Sequence, residues 1–134
     1  MRKVLHVGPC DTPGGMATVM HTLADHPPEG WEAELLASHA PGGLWAKWRA
    51  YRRARRELKR RCSDANLRPD VVHVHTAADW SWRRKSRFIQ EVQSRNIAVV
   101  VQFHSGQFDA WLAKGGARRA QQVKRVLSAP NTRG

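Results

Sequence analysis

Three groups of residues in this chain have types and spacings that can do chemistry. The first is Gly14-Gly15-Met16, which follows the apolar run Val4-Leu5-His6-Val7 and opens a segment with helical spacing. A strand that ends in a glycine-rich turn leaves bare backbone N–H groups at the tip of the next helix. Such a tip attracts anions, because those groups have no intrahelical partner and the helix dipole is positive there. The pattern is neither GxGxxG nor GxxxxGK[ST], so it carries neither the dinucleotide fingerprint nor the P-loop. It can still hold a phosphate or bring backbone close to a sugar, and it can equally be a plain tight turn.

The second group is the histidines. His73 and His75, at i and i+2 in Val71-Val72-His73-Val74-His75, share one face of a strand. Two imidazoles can chelate, but no carboxylate or cysteine has the spacing to complete a site, so no metal is expected and a structural role is favoured. His104 follows the most apolar run, Ile97 to Phe103. There it can hydrogen-bond a sugar hydroxyl or a phosphate, or simply pack.

The third group is a basic helix over Leu44 to Cys62. Nine Lys or Arg fall within residues 47–61, with Trp45, Trp48 and Tyr51 near its start and Glu57 as its one acid. Trp45, Trp48, Arg49, Arg52, Arg53, Arg55, Arg56, Lys59 and Arg60 are the candidate polyanion contacts. Like charges at this density repel unless something neutralises them. An interfacial helix on anionic lipid fits best, ahead of a nucleic-acid backbone, because the aromatics cluster at one end of a helix whereas stacking platforms for single strands lie on sheets. Trp80, Trp82, Phe108 and Trp111 flank the loops beside His75 and His104, where they can stack on sugar faces or lipid; for Trp111, helical spacing with Phe108 and Leu112 favours core packing. Cys10 has no activating partner that the sequence names, and is read as inert.

Composition bounds these readings. At 134 residues the chain is one domain, and 23 Lys and Arg against 11 acids give a net charge of +12. That excess favours polyanionic partners: anionic lipid, nucleic acid or phosphorylated small molecules. Two cysteines make neither a disulfide framework nor a zinc pattern, and a reducing cytosol is expected. No apolar run approaches the ~20 residues that span a bilayer, and the N-terminal run is too short for a signal peptide.

The elements that must position these groups alternate. Strands are expected over Lys3–Val7, Trp31–Ala37 (with Glu32 and Glu34 on an exposed face), Val71–His75 and Ile97–Phe103. Helices are expected over Gly15–Asp25, Leu44–Cys62, Arg83–Arg95 and Asp109–Ala129, the last interrupted at Gly115-Gly116. Thr76 to Trp82 reads as a loop, and Pro130 to Gly134 as a frayed tail. The order βαβαβαβα implies a parallel sheet with helices on both faces. Right-handed crossovers then bring the loops after Val7, His75 and Phe103 to one rim, where ligands of open α/β sheets bind.

Taken together, KVLHVG, TPGGM opening a helix, PDVVHVHT and VVVQFHSG resemble the N-terminal domain of a GT-B-fold glycosyltransferase of family 4, over about residues 3–127. The resemblance implies a Rossmann-like three-layer sandwich, half of a GT-B fold, over residues 1–129. It implies retaining transfer of a sugar from a nucleotide-sugar, which is a co-substrate rather than a cofactor, to a glycan or lipid-linked acceptor. Gly14, Gly15 and Met16 would approach the donor diphosphate, and His104 would be the catalytic residue near the reacting sugar. Asp79, Trp80 and Ser105 are candidates on the acceptor side. The basic helix would rest on the inner face of a membrane, making the protein cytoplasmic and peripheral. The family's second domain, with its nucleotide contacts and Glu-x7-Glu motif, is absent from this sequence, so activity is expected to need a C-terminal domain or partner chain. The alternative is a stand-alone basic α/β module that binds anionic membrane or nucleic acid without catalysis.

Overall fold

Residues alternate in character along β1 (Arg2–Gly8) and β3 (Val71–Thr76), and this alternation sorts the molecule into layers. Leu5, Val7, Val72 and Val74 point to one side of the sheet, His6, His73 and His75 to the other, as period-two geometry requires. The computed structural model describes residues 2–9, 15–38, 42–76, 80–104, 108–129 and 132–133. The remaining elements are α1 (Gly15–Asp25), β2 (Trp31–Ala37), α2 (Leu44–Ser63), α3 (Trp80–Gln93), β4 (Ala98–Phe103), α4 (Phe108–Lys114), α5 (Gly116–Leu127) and β5 (Thr132–Arg133).

The sheet is parallel throughout, in the order β2-β1-β3-β4-β5, with β5 a two-residue addition at the edge. This is a Rossmann-like α/β fold, as expected. From β1 the chain crosses to β2 on one side and then to β3 on the other, so the strand order reverses between β1 and β3. Such a switch point opens a crevice beyond the carboxyl ends of the strands.

The two faces are covered unequally. Leu5, Val7, Val72, Val74, Val99 and Val101 pack against Ala54, Leu58 and Cys62 of α2, Phe88, Ile89 and Val92 of α3, and Val123 and Val126 of α5. Each fully buried aliphatic side chain there contributes roughly 1.5–3 kcal/mol. On the histidine face α1 packs against β1 and β2 and buries Ala17 and Met20. Beyond it, Val71, His73, Val100 and Gln102 are only half-buried.

Local chemistry explains most boundaries. The turn after α3 closes on a left-handed residue, Asn96 with φ 59°, a conformation asparagine tolerates. The break between α4 and α5 falls at Gly115-Gly116, as expected, and Gly116 takes φ 68°. Glu34 of the β2 edge ion-pairs with Lys3 at 3.2 Å and with Arg61 of α2 at 2.8 Å, which accounts for acids on that strand.

Two expectations need correction. Residues 80–82 are not loop: α3 starts at Trp80, two turns' worth of apolar spacing back from Phe88. The tail is not wholly frayed either. Thr132 and Arg133 pair with Val99 and Val100, and Thr132 is buried and accepts a 2.9 Å hydrogen bond from Gln93 Nε2.

Gly8 carries the close approach of α1 to the sheet. A Cβ there would stand 2.6 Å from Met20 Sδ and 3.1 Å from His75 Cβ, both of them fully buried residues. Gly8→Ala is therefore expected to cost roughly 1–3 kcal/mol of stability by overpacking, read as a lower denaturation midpoint. An unchanged midpoint would mean that Met20 swings clear.

Candidate functional site

At the switch point β1 ends at Gly8 and α1 begins at Gly15. The first turn of α1 holds no acidic residue to neutralise its positive end, and a Cβ at Gly15 would meet nothing within 4 Å. Met16 is half-buried on α1. Gly14 and Cys10 lie outside the described residues.

Beside it four imidazoles form a connected group. His6 and His73 are register partners on neighbouring strands, and His75 follows two residues on. His6 Nδ1 is 3.0 Å from His75 Nε2, and His75 Nδ1 is 2.8 Å from His104 Nε2. The rings of His73 and His75 stack at 4.2 Å, and His73 Nε2 meets Gln102 Oε1 at 2.8 Å. An amide oxygen only accepts, so His73 is the Nε2–H tautomer. His104 is fixed from a second side, its backbone N–H donating to Thr76 O at 2.9 Å.

Burial keeps these rings neutral. Desolvation, helped by the neighbouring imidazole of His73, pushes His6 down to about 4. Desolvation and the surrounding His73, His6 and His104 rings push His75 down to about 2. Burial also lowers His73 and His104. At neutral pH each ring can therefore donate from one nitrogen and accept at the other.

The structure brings His104, His75 and the start of α1 to one edge of the sheet. Asp79 and Ser105 lie outside the described residues, and of Trp80 only its place at the start of α3 is described. Trp82 is not a rim residue: it is buried, its ring 5.9 Å from Phe103, and its Nε1–H donates to Gln122 Oε1 at 2.8 Å. Trp111 packs partly against the core under the guanidinium of Arg119, in line with the packing reading. His6 was missed. Its parity within β1 was readable, but its position beside His73 depends on a pairing across 67 residues that local sequence does not specify.

The basic surface is a second feature. Leu44, Trp45 and Trp48 are 87%, 63% and 45% exposed, so the stripe of α2 packs only from Ala50 onward. The Trp45 and Trp48 rings stack at 5.0 Å, with Arg49 over the first at 5.5 Å and Arg52 over the second at 5.0 Å. A groove of about 840 Å³ runs between these residues and Arg83, Arg84 and Arg87 of α3. The described ion pairs of α2 engage Arg60 and Arg61 only. Their hydrogen bonds hold the Glu57 carboxyl down at about 2.

Near these, Lys85 is fully buried, and its Nζ has no hydrogen-bond partner among the described residues. Desolvation, with the nearby Arg84 cation, lowers it to about 7. No protein-family model matches the chain, and no match is found among curated proteins.

The buried bases set the pH dependence of stability. Between pH 6.5 and about 4 the unfolded chain takes up a proton that folded His6 refuses, so stability falls as pH drops through that window. Between 10.5 and about 7 the same holds for Lys85, so its penalty grows as pH falls and is complete below pH 7. The melting temperature should therefore decline steeply from pH 6.5 to 4. Lys85→Met should raise it by several degrees at pH 6, with the gain shrinking toward pH 10. A flat profile below pH 6.5, or a Lys85→Met gain independent of pH, contradicts these assignments.

Proposed function

We propose that this chain is the acceptor-side half of a retaining glycosyltransferase that takes its sugar from a nucleotide-sugar and works against an anionic membrane. The observation that carries the reading is one shared sheet edge, with the N-terminus of α1, whose first turn holds no acidic residue, after β1 and the neutral His104 after β4. A donor diphosphate would be drawn to the N–H groups at the start of α1, through Gly14, Gly15 and Met16. His104, held by His75, would hydrogen-bond a hydroxyl of the transferred sugar and orient it. Stabilising a leaving diphosphate needs charge from both sides of a cleft, so a nucleotide-binding domain or partner chain completes the site.

Nucleotide-diphosphate sugars should perturb the backbone amides of residues 15–18 and the His104 ring in NMR titrations. His104→Ala should keep the amide response and abolish sugar transfer in an assay supplied with a C-terminal nucleotide-binding half. No perturbation by any uridine- or guanosine-diphosphate sugar at millimolar concentration, together with no transfer, would sink the reading.

A second reading is favoured by the exposed Trp45–Trp48 stack and its arginines: a basic module that binds an anionic surface without catalysis. The same surface serves as the membrane contact in the first reading. Vesicles with acidic lipids should float the protein and neutral ones should not, and changing Arg52, Arg53, Arg55 and Arg56 to Glu should abolish flotation. Retained flotation after that reversal would remove α2 from the account; a gel shift with nucleic acid but no flotation would move the surface to a phosphate-backbone partner.

A further inference from the structure

The histidine face of the sheet has a second property, which does not rest on sugar transfer. His6, His73 and His75 each offer a ring nitrogen, and the three nitrogens lie within 4.8 Å of one another. Two nitrogens bound to one tetrahedral zinc ion at 2.0–2.1 Å are about 3.3 Å apart. His6 Nδ1 and His75 Nε2 are already 3.0 Å apart, and turning the His73 ring out of its stack on His75 would bring its nitrogen to the same point. The three sit on two adjacent strands, fixed by the pairing of His6 with His73.

The outer nitrogens are arranged as metal-ligating imidazoles require. His73 donates Nε2–H to Gln102, which leaves Nδ1 as its lone-pair atom. His75 can donate Nδ1–H to His104 Nε2, which frees Nε2. For His73 and His75 a second partner on the far side of the ring fixes tautomer and orientation. A cavity of about 340 Å³ reaches His6 and His73 beside Leu23, His26 and Pro27. It supplies a route from solvent and room for a fourth ligand.

We propose that His6, His73 and His75 form a binding site for one divalent transition-metal ion of the zinc, nickel or copper class, with a fourth position open to that cavity. Three neutral nitrogen donors without a carboxylate select this class over magnesium or calcium, which take oxygen ligands. Three protein ligands and an open position are also the arrangement of reactive rather than purely structural zinc sites, so water or a small anion would occupy the fourth position.

The test uses untagged full-length chain, stripped with a chelator. Cobalt(II) should bind one per chain with the intense visible bands of a four-coordinate ion, and zinc should displace it and raise the melting temperature. His73→Gln should abolish both effects. His26→Ala should leave them intact, since His26 lines the cavity but is not one of the three residues whose nitrogens converge. Gln102→Leu, which removes only the outer partner of His73, should weaken zinc roughly 10–100-fold. This milder variant decides the matter if His73→Gln fails to fold. Weak six-coordinate cobalt bands, no zinc-dependent shift in the native protein, or zinc binding unaltered by Gln102→Leu would each overturn the proposal.

Discussion

The structure depends on the parity of two strands. β1 and β3 pair in parallel with His6 beside His73 and Val7 beside Val74. That register places Leu5, Val7, Val72 and Val74 under α2, α3 and α5, and every histidine of those strands on the opposite face, with Val4 and Val71 half-buried beside them. A slip of one residue would exchange the faces, driving imidazoles into the apolar layer and valines toward the open cavity. The register is therefore strongly specified on one side by hydrophobic burial. On the other side the histidines are tolerated because they are hydrogen-bonded, His75 to His6 and His104 and His73 to Gln102.

Charge is organised by the same layering. The outer surface of α2 faces away from the sheet and carries cations for which its short apolar stripe leaves room. Only near its C-terminal end do Glu57 and Glu34 bind Arg60 and Arg61. Toward its N-terminus the arginines lie over aromatic rings instead. Such contacts are worth about 0.5–1 kcal/mol when exposed and do nothing to cancel net charge. The region around Leu44, Trp45 and Trp48 thus combines exposed apolar area with the charge of Lys47, Arg49 and Arg52, which no described ion pair engages. Under the proposed membrane reading, an acidic lipid surface would satisfy both.

The sequence disclosed the architecture because each element announced itself locally. Alternating Val and His marked β3, Gly and Pro marked the turns, and the i, i+3, i+4 spacing of Met16, Val19 and Met20 marked α1. The shortfalls came where tertiary context decides. Trp82 looked like a rim aromatic because the start of α3 lacked an N-terminal signal, and only packing against Phe103 draws it inward. Thr132 and Arg133 looked like tail because a two-residue strand has no periodicity to detect. His6 looked like one polar residue in an apolar run. Its meaning lies in its neighbours on β3, and strand pairing across such a separation is set by the whole sheet.

That neighbour relation has a consequence for the rim. A neutral His75 can donate from one nitrogen only, yet it is bonded at both. Either His6 donates to it and it donates to His104, or His104 donates to it and it donates to His6. In the first state His104 accepts at Nε2 and carries its proton on Nδ1, as a donor. In the second, Nδ1 is bare and the same residue is an acceptor. The hydrogen-bonding role of His104 is thus set by the tautomer of His6, two strands away and on a different edge of the cluster. A metal ion held by His6 Nδ1 and His75 Nε2 would require both atoms bare. His75 would then donate to His104, leaving His104 as a hydrogen-bond donor. The tautomer of His6 on the buried face and that of His104 at the rim are therefore linked through a single imidazole, His75.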